Sequence, residues 1–132
     1  MHPDVTAPRW RTEEPAVQHR IDLTDQAGAT APTEPYAALL ARLAAHLGAA
    51  PTHVDYAESQ RDRPRHEQWQ TLTTTIADHE ITVAITADPL DTDIPIYAIV
   101  VDGRAVPYVM TGARPLHDVL FEAAAQRLPH AR

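Results

Sequence analysis

From residue 36 onward the apolar positions fall into two periods. Tyr36, Leu39, Leu40, Leu43 and Leu47 recur at helical spacing as one stripe, which predicts a helix beginning near Pro35. Thr33 suits the N-cap, Glu34 the positive helix start and Pro35 the first turn, while Gly48 and Pro51 end the helix. Further on the period becomes two. If Asp78-His79 closes a two-residue loop, Ile76 pairs with Ile81, Thr74 with Val83 and Leu72 with Ile85. Directly opposed residues share a sheet face. One face is then Leu72, Thr74, Ile76, Ile81, Val83 and Ile85, to be buried; the other is Thr71, Thr73, Thr75, Thr82, Ala84 and Thr86.

A second hairpin follows, with the stronger turn signal Asp102-Gly103. It pairs Val101 with Arg104, Ile99 with Val106 and Tyr97 with Tyr108. Here both faces are apolar: Tyr97, Ile99, Val101, Val106, Tyr108 and Met110 on one, Ile96, Ala98, Val100, Ala105, Pro107 and Val109 on the other. Such a hairpin requires cover on two sides, from helices or from a partner. Pro107 lacks an N–H, so the strand 104–110 is predicted to be a sheet edge. A last helix starts near Pro115, carries Leu116, Val119, Leu120, Ala123 and Ala124 on one face, and ends before Pro129. The expected fold is α+β: helix, four-stranded antiparallel meander of two hairpins, helix. Residues 1–32 carry four prolines and five sizeable apolar side chains in no common period. They are expected to form a flexible N-terminal arm in front of a single α+β domain at 33–132. Ile21-Asp22-Leu23 could dock as a short extended piece, and residues 52–67 could add a strand beside Leu72.

Composition narrows the chemistry. The 132 residues suit one core, and the 44% apolar fraction is raised by alanine. There is no cysteine, hence no disulfide or thiolate metal site. No apolar run reaches the roughly 18 residues of a membrane helix, and Met1–Trp10 lacks a signal-peptide core, so a cytoplasmic protein with no membrane partner is expected. All eleven basic residues are arginine, with no lysine or asparagine. Both missing residues have A-rich codons, so base composition explains this better than selection for phosphate binding. A net charge of −7 makes nucleic acid an unlikely partner. The final helix sets only Arg127 against Asp118 and Glu122, the first helix only Arg42, although Arg9 and Arg11 of the arm could touch phosphate.

Eight histidines invite a search for metal ligands. No His-x-x-x-His or His-x-His exists; the nearest pattern is His53-x-Asp55 with His66-Glu67. Solvated surface histidines explain them as well. Asp88-Pro-Leu-Asp-Thr-Asp93 lacks the glycine and closing glutamate of a calcium loop. Ser59 is the only serine and glycine occurs four times, so neither a nucleophile elbow nor a phosphate-cradling loop can be built. No catalytic residue, metal or cofactor is assigned, and enzymatic activity stays uncertain, with a non-enzyme favoured. The best binding candidate is Arg61-Asp-Arg-Pro-Arg-His-Glu-Gln-Trp69, in which Arg61, Arg63, Arg65, His66 and Trp69 combine the side chains enriched at hot spots. The plain alternative is a solvated loop with Trp69 packed on the sheet.

These features favour a small acidic interaction protein (adaptor, chaperone-like or regulatory) that works as a homodimer or through a protein partner, with Trp10 as an anchor on the arm. The alternative is a small-molecule-binding protein or small enzyme with a cavity between sheet and helices, its polar groups drawn from His53, Asp55, His66, Tyr97 and Tyr108.

Overall fold

The computed structural model describes residues 9–23, 36–88, 90–108 and 113–128. Thr33, Glu34 and Pro35, the expected start of the first helix, lie outside them, as do Val109, Met110 and Pro129. The chain runs α1 (Arg9–Thr12), β1 (Val17–Asp22), α2 (Tyr36–Leu47), β2 (His53–Glu58), a 3-10 turn at Arg65–Glu67, β3 (Trp69–Ile76), β4 (His79–Ala87), β5 (Pro95–Val101), β6 (Arg104–Val106) and α3 (Leu116–Ala125). The class is α+β, but the sheet has six antiparallel strands in sequence order rather than four. The two additional strands come from segments with weak patterns. β2 lies in the polar stretch after Pro51, and β1 comes from the part of 1–32 that has no period of its own. Among the described residues no helix is long and apolar enough to cross a membrane.

The apolar stripe of α2 explains its placement. Tyr36, Leu39, Leu40, Leu43 and Leu47 are all buried and meet Val119, Leu120, Ala123 and Ala124 of α3. Both helices cover the same side of the sheet, against Val54, Leu72, Ile76, Ile81, Val83, Ile99, Val101 and Val106. The helices are also tied to each other. The Arg42 guanidinium pairs with Asp118 and lies 4.2 Å from the Phe121 ring centroid. His46 meets the same ring edge-on and hydrogen-bonds the Leu128 carbonyl at 3.3 Å.

The two hairpins differ in how their turns are made. At Asp102-Gly103 the register is the expected one, Val101 opposite Arg104 and Ile99 opposite Val106, and both turn residues have positive φ, as a type I′ loop requires. The Asp102 carboxylate ties this turn to the start of β4, accepting the Glu80 N–H at 2.9 Å and meeting His79 Nδ1 at 2.8 Å. In the first hairpin the loop is Ala77-Asp78, one residue earlier than expected, so Leu72 faces Val83 and Thr74 faces Ile81. A one-residue move of the turn shifts each partner by two, and two is the side-chain period of a strand. The faces therefore stay as expected although the partners change. β6 is the opposite edge of the sheet, and it stops at Val106, before Pro107.

The far face of the sheet is covered unevenly. Val100 and Ala84 are buried, whereas Ile96 and Ala105 are exposed. The half-buried Trp10 of α1 sits over Thr71, Thr73, Thr82 and Val100 and borders a cleft there. The arm's tryptophan thus packs on the threonine face of its own chain.

Ala77 holds a left-handed φ of 51° in this turn, a conformation that costs a residue with a Cβ about 1–2 kcal/mol. Replacing Ala77 by glycine is expected to raise stability by about 1 kcal/mol, read as a higher urea midpoint at unchanged slope.

Candidate functional site

Two loops meet at one end of the sheet. The first, residues 59–68, joins β2 to β3; the second, residues 88–94, joins β4 to β5. Between them opens a cleft of about 320 Å³ bordered by Glu58, Arg61, Arg65, Trp69, Thr86 and Asp93, among others. The short loop turns have local causes. Gln68 Nε2 donates to the carbonyls of Arg61 (3.1 Å) and Arg63 (2.9 Å), folding the arginine segment over itself. Asp88 and Asp91 each accept the N–H two residues on, so the acids of the second loop serve its backbone.

Ser59 and Trp69 fix the base of the cleft. Ser59 Oγ accepts the Trp69 N–H at 2.9 Å, and the Ser59 N–H donates to the Trp69 carbonyl at 2.9 Å. The chain's single serine thus joins the end of β2 to the start of β3. Trp69 is only 3% exposed, on the threonine face, and its Nε1 has no hydrogen-bond partner among the described residues. A buried indole N–H without a partner is costly.

The arginines divide their tasks. Arg61 is 85% exposed and donates from Nε to Glu58 Oε2 at 3.0 Å. Arg63 is turned inward to Glu13 (2.8 Å) and Glu67 (3.4 Å). Arg65 reaches across the cleft, with Nη2 3.4 Å from the Thr92 carbonyl and 4.0 Å from Asp93. Arg61, Arg65 and Trp69 therefore share the cleft, as their grouping in the sequence suggests, while Arg63 braces the loop against the residues before β1. His66 is exposed beside Glu67 at 3.6 Å. Tyr97 and Tyr108 belong elsewhere: both pack against the core on the helix side, and the Tyr108 hydroxyl donates to the Tyr97 carbonyl. Burial raises the pKa of both phenols.

The pair His53 and Asp55 does not converge with His66 and Glu67, which lie beyond the other end of β2. Asp55 is gripped by Arg20 instead, at 2.7 and 3.2 Å, and the hydrogen bond from that guanidinium is the main cause of its lowered pKa. His53 Nε2 stands 3.9 Å from the carboxylate. Among the described residues no group of three His, Cys, Asp or Glu side chains could hold a metal ion.

Glu58 was not among the residues singled out from the sequence. It is 7% exposed, accepts the Tyr56 hydroxyl at 2.5 Å and Arg61 at 3.0 Å, and these two bonds, Tyr56 first, lower its pKa. Burial, then the Glu58 carboxylate, pushes the Tyr56 phenol up to about 12. The ring of His19 on β1 lies 4.9 Å from that of Tyr56. Val54, Tyr56 and Glu58 alternate on the helix-side face of β2; the alternation was the available signal, hidden because its last member is charged.

Comparison of the chain with protein-family models, with curated proteins and with solved structures gives no match.

Two outcomes are expected. Glu58 has a lowered folded pKa, so its contribution is present above the unfolded glutamate range and lost as pH falls through the folded value. Glu58→Gln should therefore lower stability at pH 7 and shrink the loss of stability on acidification below about pH 4.5, followed by urea titration across pH. At Trp69, phenylalanine deletes the unpaired donor and should cost under about 1.5 kcal/mol, whereas alanine should cost about 3–5 kcal/mol. A phenylalanine loss as large as the alanine loss would overturn this expectation.

Proposed function

We propose that this chain is a small acidic, non-enzymatic interaction protein of the adaptor, chaperone-like or regulatory kind, acting through a homodimer or a hetero-partner surface. The observation that carries the reading is the apolar rim beside the arginine cleft. Leu90 is 95%, Ile94 48% and Ile96 40% exposed, on or next to the loop that supplies Thr92 and Asp93 to the cleft wall. Single exposed apolar residues are ordinary. Three in seven positions, flanking two outward guanidiniums, have the make-up of an interface core with its arginine anchors. Arg65 supplies a cation that faces a carboxylate only at 4.0 Å, which leaves it available to an acidic group of a protein partner.

A second reading has its own support. The cleft volume of about 320 Å³ falls at the lower end of the range for small-molecule sites, and Trp69 is among the residues that line it. In that reading the cleft takes a small anion-bearing ligand, with Arg65 as its principal cation.

A photo-crosslinking residue at Leu90, introduced in cells of the protein's own source, separates the two. The interaction reading expects a discrete crosslinked protein adduct that is lost on Ile94→Asp and on Arg65→Glu. No adduct, together with a small-molecule mass on the gently purified chain in native mass spectrometry, would replace it with the ligand reading.

A further inference from the structure

We infer that β1 is a homodimer surface, on which a second copy of the chain pairs antiparallel through Val17–Ile21 with His19 on the two-fold axis. The inference deepens the interaction reading by giving its second copy a location. The two edges of the sheet are unlike. β6 is three residues long and is followed by Pro107, two ways of blunting an edge. β1 is six residues long, every residue but Ile21 is exposed, and between Ala16 and Asp22 there is no proline, glycine or lysine.

The ladder inside the sheet fixes what points out. β1 pairs with β2 from Val17 opposite Glu58 to Asp22 opposite His53, and the Leu23 N–H continues it to the Thr52 carbonyl at 2.9 Å. Bonding alternates along an antiparallel pair. The peptide groups of Val17, His19 and Ile21 therefore turn toward β2, and those of Gln18 and Arg20 turn outward. Neither of these last two has a backbone partner among the described residues. At the start of the strand Ala16 also donates to Glu58 at 2.9 Å, so two residues share one partner in a bulge.

Symmetry and charge then select the register. In a continuous sheet opposed residues share a face, so a central two-fold axis passes through either His19 or Arg20. Placing it at Arg20 sets two guanidiniums against each other, each already held by Asp55 on that face. Placing it at His19 sets Gln18 opposite Arg20 of the second copy, with two hydrogen bonds in each such pair. It also sets Val17 opposite Ile21 of the second copy on the helix side. Ile21 already packs against the core and Val17 is 39% exposed, so this apolar pair extends the core across the dyad, once on each side of it. No permanent like charges face each other between Val17 and Ile21.

The groups near the axis do not obstruct it. The His19 rings rest on Tyr56, and the Arg20 side chain is turned inward to Asp55. Five paired residues a side make a small contact, below the ~1,200 Å² of standard interfaces, so the dimer is expected to be concentration-dependent.

The absence of cysteine makes the register directly testable in the full chain. At the axis His19 faces its own copy in a non-hydrogen-bonded pair, with Cα atoms about 4.5 Å apart, within the range a disulfide spans. Sedimentation at ~100 µM is expected to show a dimer. Mild oxidation should link His19→Cys into a covalent dimer but leave Gln18→Cys, which faces Arg20 of the second copy, unlinked. Gln18→Pro removes an outward N–H without touching the β1–β2 ladder and should weaken the dimer at least about tenfold. His19→Lys sets two ammonium groups face to face and should do the same, with circular dichroism unchanged in both variants. A monomer at that concentration, a dimer that His19→Cys does not link, or a dimer indifferent to both substitutions overturns the proposal. A monomer whose edge is filled by another strand gives the first of these outcomes. Because the Leu90 crosslink is read at a separate surface, its survival with a failed dimer removes only this inference, and its loss with an intact dimer removes only the rim reading.

Discussion

The requirement that one face of the sheet stay under two helices governs most of this structure. Leu39 and Leu43 of α2 and Leu120 of α3 are fully buried only because Leu72, Val83 and Ile99 line up opposite them across β3, β4 and β5. Burying an aliphatic side chain of this size stabilises by about 1.5–3 kcal/mol. A slip of one residue would turn every member of such a set to the other face, so the cost of a wrong register is many times the cost of an imperfect turn. That ordering of energies explains Ala77. The chain accepts an alanine at φ 51°, a local penalty of about 1–2 kcal/mol, because the ladder it serves keeps six β3–β4 side chains on the helix side.

The same constraint leaves the opposite face to be finished by other means. Threonines tolerate partial exposure and can bond each other, as Thr73 and Thr82 do across the strands at 2.9 Å. Apolar side chains there need a cover, and Trp10 with Trp69 supplies it over part of the face. The cover ends before Ile96. Where it ends, the cleft begins, with the arginine loop on one side and the acidic loop on the other. The exposed rim is thus the end of a sheet whose two helices are both committed to the other side.

How much of this could be read from the residues depended on whether the deciding interactions were local. Asp102-Gly103 set its hairpin register correctly because the turn's backbone demand and its residue types agree. The α2 stripe was legible because five leucine or tyrosine positions repeat at a single period. The first hairpin's partners were displaced because nothing in an Ala-Asp pair announces a left-handed turn, yet its faces survived the error for the reason of parity. β1 was hidden because an edge strand with five exposed residues needs no hydrophobic alternation; it exists because β2 offers it a ladder. β2 was open as a strand beside Leu72, where it lies, but Glu58 kept it from being assigned: a charged residue on a buried face, held by Tyr56 beside it and Arg61 beyond the strand. The site followed the same rule. The Arg61–Trp69 segment was visible as a cluster, but the cleft forms only when Thr92, 27 positions from Arg65, and Asp93 beside it close its other wall. Tyr97 and Tyr108 were drawn in by their polar tips, but both rings pack against the core and the Tyr108 hydroxyl bonds the Tyr97 carbonyl.

The two ends of the sheet order lead to different consequences. At the β6 end, a three-residue strand and a proline leave little main chain to bond, and α3 and the β5–β6 turn complete the core locally. At the β1 end, the chain contributes a full-length strand whose outward peptide groups are set by the inner ladder rather than by its own side chains. Arg20 matters here in an indirect way. Its grip on Asp55 takes the strand's one permanent cation away from the edge and satisfies a carboxylate that β2 would otherwise present alone. The cation that commonly protects an edge is therefore used within the sheet, and between Val17 and Ile21 the edge presents its own backbone beside Gln18 and His19. An acidic chain that pairs its edge cation with a neighbouring carboxylate brings no unpaired permanent charge between Val17 and Ile21, the stretch on which the inferred second copy adds its ladder.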